Sequence, residues 1–198
     1  MRSLIFATHN THKVAEIAAW IPQAWRLQSL TDLDWDIDLP ETRDSLEGNA
    51  AQKAETLHQA SGCDTLADDT GLQVNALDGA PGVFSARFAG PGATDADNVQ
   101  WLLNRLEGVA DRSAHFKTVI CLILDGQRQF FEGRLDGVIL EKPRGQHGFG
   151  YDPVFLPNGT GQSLAEMTAE QKNQISHRAQ AMHALSKYLQ NIPPTTSR

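Results

Sequence analysis

Cysteine is scarce in this chain. Cys63 and Cys121 are the only two, with no zinc-ligand spacing and no disulfide framework. They read as buried apolar residues in a reducing compartment. Basic charge is short as well: 17 Lys and Arg against 24 Asp and Glu leave a net charge of −7 at pH 7. That excludes a general electrostatic grip on nucleic acid, and leaves room for a local basic pocket suited to a small anion. No apolar run approaches the ~20 residues of a membrane helix. Met1-Arg2 leads only into Leu4-Ile5-Phe6-Ala7, which is not a secretory pattern. The expectation is a soluble cytoplasmic protein with no nucleic-acid and no membrane partner. Internal repeats and low-complexity linkers are absent. So is G-x-x-x-x-G-K-[ST], which leaves a kinase-like phosphotransferase without its phosphate loop.

What is present is ordinary globular material, 40% hydrophobic and 21% charged over 198 residues. That is enough for one large domain or two small lobes sharing a core. Ser3 to Thr8 reads as a buried strand, and Asn10 to Ile21 as a helix with Val14, Ile17, Ala18 and Ile21 at helical spacing before Pro22. Leu27–Leu30 is a second strand candidate. Asp44 or Ser45 starts a helix to about Ala60. Asp64–Asp68 and Leu72–Ala76 read as separate strands around a tight turn at Asp68-Asp69-Thr70-Gly71. Pro81–Gly92 is a loop around one short helical turn. Thr94 with Asp97 opens a helix to Leu106. Ala114–Leu124 and Gln129–Leu140 form a hairpin about Asp125-Gly126. Gly145–Gly150 is a glycine-rich loop, Val154-Phe155 ends a short strand, and the rest to Gln190 is helical before a frayed tail at Pro193-Pro194. Helices interleaved with strands, together with a hairpin, predict an α/β class with a mixed sheet.

Six places can carry chemistry. Adjacent carboxylates at Asp68-Asp69 repel unless something offsets them, and Mg²⁺ suits one or two carboxylates plus substrate phosphates; a solvated turn is the plain alternative. Ala7-Thr8-His9-Asn10-Thr11-His12-Lys13 joins a strand end to a helix start, where unpaired N–H groups and Lys13 favour phosphate. The same residues also suit an ordinary capped turn, and His9 with His12 make only a weak metal pair. Asn49 and Lys53, i and i+4, share one helical face. Gly145-Gln146-His147-Gly148-Phe149-Gly150-Tyr151-Asp152-Pro153 is not the Rossmann fingerprint. Its glycines still let backbone approach a ligand, Phe149 and Tyr151 can stack on a flat ring, and Asp152 can accept from ring N–H groups. In Glu170–Arg178, Lys172 and Arg178 would point about 120° apart on one helix. Serving one anion therefore requires a break near Asn173–Ser176, with Ser176 as cap. Ser85-Ala86-Arg87 is a weaker candidate, for which an Arg in a local ion pair is the favoured reading.

Together these pieces resemble the inosine/xanthosine triphosphate pyrophosphatase family. The resemblance rests on Ala7-Thr8-x-Asn10-x-x-Lys13, Glu41-Thr42, Glu47-Gly48-Asn49-Ala50-x-x-Lys53, Ala67-Asp68-Asp69-Thr70-Gly71-Leu72, Pro81-Gly82-Val83-Phe84-Ser85-Ala86-Arg87, Gly148-Phe149-Gly150-Tyr151-Asp152-Pro153 and Ser176-His177-Arg178, in that order. It implies one α/β domain over residues 1–192, elongated and two-lobed on a long mixed sheet with flanking helices, a nucleotide cleft between the lobes, and a flexible tail at 193–198. It implies a homodimer and a Mg²⁺ requirement. Thr8, His9, Asn10, Thr11, His12, Lys13 and Lys53 match substrate positions at the triphosphate, and Asn49 is a further substrate-binding candidate. Thr70, Phe149, Gly150, Tyr151, Asp152, Lys172, His177 and Arg178 match the rest of the nucleotide-binding set. Glu41, Asp68 and Asp69 fall at metal positions, and Asp69 matches the general base. His9 stands where glycine is common, Thr70 for a frequent serine, and Phe84 for a frequent tyrosine.

The implied reaction is attack of water on the α-phosphorus of ITP, dITP, XTP or dXTP, releasing monophosphate and pyrophosphate. Two alternatives stay open: a pyrophosphatase for pyrimidine or modified nucleotides, and a nucleotide-binding module that does not hydrolyse.

Overall fold

The computed structural model describes residues 1–192, apart from the side chain of His12. The expected tail at 193–198 lies outside the described residues. β1 (Arg2–Phe6) buries Leu4, Ile5 and Phe6. α1 (Thr11–Ala18) follows, and the Asn10 side chain accepts the Lys13 N–H at 3.2 Å as its cap. The helix stops short of Ile21. Trp20 and Ile21 donate their N–H groups back to Ile17 and Ala18 in tight turns, ahead of Pro22. β2 (Trp25–Ser29) lies parallel to β1, with Arg2 opposite Trp25 and Phe6 opposite Ser29.

α2 (Leu46–Ser61) is capped by Ser45, whose hydroxyl accepts from the Gly48 N–H, and ends on left-handed Gly62. The turn expected at Asp68–Gly71 does not exist: β3 (Thr65–Val74) is one strand of 10 residues running straight through both aspartates. Successive side chains of a strand point to opposite faces, and Asp68 and Asp69 meet different cations. Their mutual repulsion therefore needs no turn to relieve it. α3 (Asp95–Arg105) starts on a complete Thr94/Asp97 capping box. β4 (Ser113–Leu124) and β5 (Gln127–Ile139) are the hairpin strands, and the intervening Asp125 and Gly126 both have positive φ. β6 (Phe155–Pro157) pairs antiparallel with β5. The helix expected from there on does not begin at once: residues 158–168 hold turns and a 3₁₀ turn at Leu164–Glu166. α4 (Ala169–Ile175) and α5 (His177–Gln190) then flank extended Ser176, at φ −64° and ψ 150°.

The six strands form one mixed sheet in the order β2-β1-β3-β4-β5-β6, with helices beside it. Two compact units divide the chain. Among the described residues, one comprises Met1–Asp69, Val119–Glu132 and 180–192; the other comprises Thr70–Thr118 and Gly133–Ala179. The first packs Leu4, Phe6, Leu66 and Ile120 with Met182 and Leu185 of α5. The second packs Leu72, Val99, Leu102, Phe116, Tyr151 and Phe155. Among the described residues no helix is long and apolar enough to cross a membrane. Cys121 is buried as expected, which pushes its thiol pKa up to about 12. Cys63 is exposed instead, because it follows the Gly62 cap into a loop.

Candidate active site

In the first unit the site is organised by one face of α2. Asn49, Gln52 and Lys53 stand at i, i+3 and i+4, so their side chains align. They grip three successive residues of the irregular segment before the helix, in reverse order. The Asn49 Oδ1 accepts the Arg43 N–H at 2.9 Å. Gln52 accepts the Thr42 N–H at 3.0 Å and donates to the Thr42 hydroxyl at 2.9 Å. Lys53 Nζ donates to Glu41 Oε1 at 2.6 Å. Glu41 is thereby held where a loop residue would otherwise wander. Gln52 was missed in the sequence, although its i+3 spacing from Asn49 marks it.

Asp69 of β3 meets the same face. Asn49 Nδ2 donates to its Oδ2 at 3.1 Å, and Lys53 Nζ lies 3.5 Å from its Oδ1. Asn49 is fully buried and Asp69 is 8% exposed. Burial pushes the Asp69 pKa up, Lys53 pulls it down, and the nearby charge of Glu41 pushes it up again; the net is above the ordinary carboxylate value. Burial also opposes the Lys53 charge, but Asp69, Asp68 and Glu41 outweigh it and hold that lysine firmly protonated.

Asp68 has its own cation, Lys13 Nζ, at 2.9 Å from Oδ1. Lys13 lies in the first turn of α1. Ahead of it the Thr8 hydroxyl accepts the Asn10 N–H at 3.1 Å. Thr8 is buried, while His9, Asn10 and Thr11 are exposed. The expectation for the His12 side chain lies outside the described residues. Among the described residues no three His, Cys, Asp or Glu side chains form a ready-made metal cage. Mg²⁺ does not require one, since it keeps waters and takes substrate phosphates with one or two carboxylates. Glu41 and Asp69 fit that role. They are hard oxygen donors on one lysine, and their like charges raise the Asp69 pKa.

The second unit gathers the glycine-rich loop with the α4–α5 break. Lys172 Nζ donates to Asp152 Oδ2 at 2.7 Å, and the Phe149 N–H donates to the same oxygen at 3.1 Å. Both cations expected here reach one ring: Lys172 Nζ is 4.7 Å from the Phe149 centroid and the Arg178 guanidinium 5.6 Å. The Ser176 break brings them together, and the Ser176 hydroxyl accepts the Ala179 N–H at 3.1 Å as cap. His177 stacks on Phe116 at 4.7 Å with an interplanar angle of 14°; Phe116 gave no signal in the sequence. Thr70 shares a hydroxyl contact of 2.8 Å with Thr118 and lies 3.4 Å from Arg178 Nη2. Tyr151 is buried in the core, so it is not free to stack on a ligand face. Ser85 is a structural tie: its hydroxyl accepts the Leu72 N–H at 3.0 Å, and Arg87 sits over the Phe84 ring.

Chemically, the first group offers two buried carboxylates, Asp68 and Asp69, a third acid, Glu41, and two lysines. The second offers an aromatic face flanked by cations. The model of the Ham1 family matches residues 4–188. A dITP/XTP pyrophosphatase from Porphyromonas gingivalis is 51% identical over 191 residues, covering 96% of this chain and 98% of that protein. Another of that name, from Christiangramia forsetii, is 48% identical over 94% of this chain and 98% of its own length. Among solved structures, a HAM1 protein from Coxiella burnetii superposes with a TM-score of 0.91 at 37% identity, covering 97% of this chain and all (100%) of that one.

Proposed function

The chain belongs to the Ham1 family, and from that premise we propose that it hydrolyses the non-standard purine nucleoside triphosphates ITP, dITP, XTP and dXTP to monophosphate and pyrophosphate. The observation that carries this reading is Asp69, a buried carboxylate held by Asn49 and faced by Lys53. A carboxylate with a raised pKa, oriented by a fixed donor, has the character of a general base.

In the proposed reaction Asp69 takes a proton from water, the water oxygen bonds to the α-phosphorus, and the bond from that phosphorus to the α–β bridging oxygen breaks. Pyrophosphate leaves with the bridging oxygen. Lys13, Lys53 and the N-terminus of α1, with Thr8, His9, Asn10, Thr11 and His12, are assigned to the polyphosphate. Phe149, Gly150, Asp152, Lys172, His177, Arg178 and Thr70 are assigned to the nucleoside, with Tyr151 behind them in the core. The Lys172–Asp152 pair supports a polar reader of the base edge, since it holds a cationic donor in a fixed place beside the Phe149 ring. Asp152 supports this mainly by fixing Lys172. Mg²⁺ on Glu41 and Asp69, with Asp68 nearby, would supply charge neutralisation on the polyphosphate. A homodimer in the cytoplasm completes the reading, carried by the family resemblance.

The test is a panel of ITP, XTP, GTP, dTTP and UTP with Mg²⁺, quantifying monophosphate and pyrophosphate separately. The expected result is equimolar release from ITP and XTP. Release of orthophosphate, or preference for dTTP or UTP, would replace this reading.

A further inference from the structure

We propose that Asp95 is a positioning residue for base recognition: from the first turn of α3 its carboxylate fixes the loop that carries Phe149. The proposal rests on the reading that this loop receives the purine. The Gly150 N–H donates to Asp95 Oδ2 at 2.6 Å across 55 residues of sequence. Bonds from backbone N–H to a carboxylate are among the short, strong ones.

The loop depends on such anchors. It lies outside helix and strand, with left-handed Gly148 and Gly150 at φ +77° and +60°. Its successive groups are tied to different places. The Phe149 N–H goes to Asp152 at 3.1 Å, the Gly150 N–H to Asp95 at 2.6 Å, and the Tyr151 hydroxyl donates to the Ser85 carbonyl at 2.9 Å. Asp152 and Ser85 hold the flanks, and Asp95 holds the peptide that follows Phe149. That peptide sets where the ring stands beside Lys172 and Arg178.

α3 does not need Asp95 for its own start. Thr94 and Asp97 close the capping box by themselves, with the Thr94 N–H on Asp97 at 2.8 Å and the Asp97 N–H on Thr94 at 3.2 Å. Asp95 would otherwise be a surface acid favoured by the helix dipole. Asp95→Asn separates the two roles: it keeps an acceptor for Gly150 and loses the charge.

The experiment uses the full chain and compares wild type, Asp95→Ala and Asp95→Asn. It measures KM and kcat for ITP, and inhibition by tripolyphosphate, which has no base. Asp95→Ala is expected to raise KM for ITP about tenfold, the effect of ~1.4 kcal/mol, with kcat within about twofold. Asp95→Asn is expected to recover most of the loss, with tripolyphosphate inhibition unchanged in both. An unchanged KM in Asp95→Ala overturns the proposal. So does a parallel loss of tripolyphosphate binding, or an Asp95→Asn variant no better than alanine. A wild-type enzyme inert on ITP and XTP overturns the substrate reading, and this proposal with it. Active wild type with an indifferent Asp95→Ala overturns this proposal alone.

Discussion

Asn49 donates its side-chain N–H to Asp69 at 3.1 Å, amide to carboxylate, with the amide fully buried. The amide cannot turn over, because its oxygen is already committed to the Arg43 N–H at 2.9 Å. One carboxylate oxygen of Asp69 is thus assigned to a fixed donor, and the other faces Lys53 at 3.5 Å. Asn49 and Lys53, expected on one helical face with Asn49 bonding a ligand and Lys53 holding phosphate, both contact Asp69, and both ends of the Asn49 amide are taken by protein groups. A base oriented this way loses little freedom when it acts, since its rotamer is already set.

Asp69→Asn is expected to abolish turnover, by ~10²-fold or more, while keeping the fold. The pKa shift fixes the sign of the stability effect. The folded-state value lies above the ordinary 3.8, so the charge penalises the folded state. That penalty is absent below the unfolded value, where both states are protonated. It grows as pH rises through the folded value and is complete above it. Removing the charge therefore leaves the Tm at pH 7 unchanged or higher. The wild-type kcat/KM profile should carry an acid limb above 3.8, absent from the residual rate of the variant. Near wild-type hydrolysis of ITP by Asp69→Asn removes Asp69 as the base.

Asn49→Asp tests the orientation of that base. The new carboxylate can still accept the Arg43 N–H, but the donor to Asp69 is lost and a like charge stands beside it. Like charge raises a carboxylate pKa, so the acid limb of kcat/KM should move to higher pH and kcat near neutrality should fall about tenfold. A pH–rate profile superimposable on wild type would show that Asn49 does not act on Asp69.

Parts of this arrangement are legible in the sequence for definable reasons. The i, i+4 spacing of Asn49 and Lys53 places them on one face wherever α2 starts. The 120° problem posed by Lys172 and Arg178 forces a break, which falls at Ser176. Local chemistry fixed both. The strand at Asp68-Asp69 is illegible because the cations that offset its two carboxylates, Lys13 and Lys53, lie 55 and 16 residues away in sequence, and local propensity argues for a turn. The Lys172–Asp152 pair and the stacking of Phe116 on His177 are likewise long-range. The helix expected through 158–168 is absent because that segment holds turns and a 3₁₀ turn, and the α-helix starts only at the Thr168 cap.

Gly148→Ala is expected to disable the nucleoside half. A Cβ there would lie 2.0 Å from Asp152 Oδ2, the oxygen that holds Lys172 and the Phe149 N–H. The left-handed backbone, φ +77°, adds a cost of ~1–2 kcal/mol for any side chain. The carboxylate must shift, releasing Lys172 from its place beside Phe149. KM for ITP should rise by ~10-fold or more and the Tm should drop, while tripolyphosphate inhibition persists. A KM equal to wild type would detach the Asp152–Lys172 pair from substrate binding.

Lys53→Ala separates binding from stability. Lys53 is 5% exposed and stands between Glu41 and Asp69. Removing one partner of a buried ion pair leaves the other uncompensated and costs ~3–5 kcal/mol when both are fully buried. Glu41 keeps 34% of its side chain exposed, so water screens part of the loss and the drop in unfolding free energy should fall at or below ~3 kcal/mol. The Glu41 segment stays tied through Gln52 and Asn49, which keeps the fold intact for kinetics. With the cation gone, affinity for ITP should weaken much more than affinity for IMP, because only the triphosphate carries the β- and γ-phosphates that Lys53 would offset. The comparison is KM for ITP against the inhibition constant for IMP, with urea unfolding measured on the same protein. Equal losses for both ligands would take Lys53 out of the polyphosphate site and leave it a structural bridge between two acids.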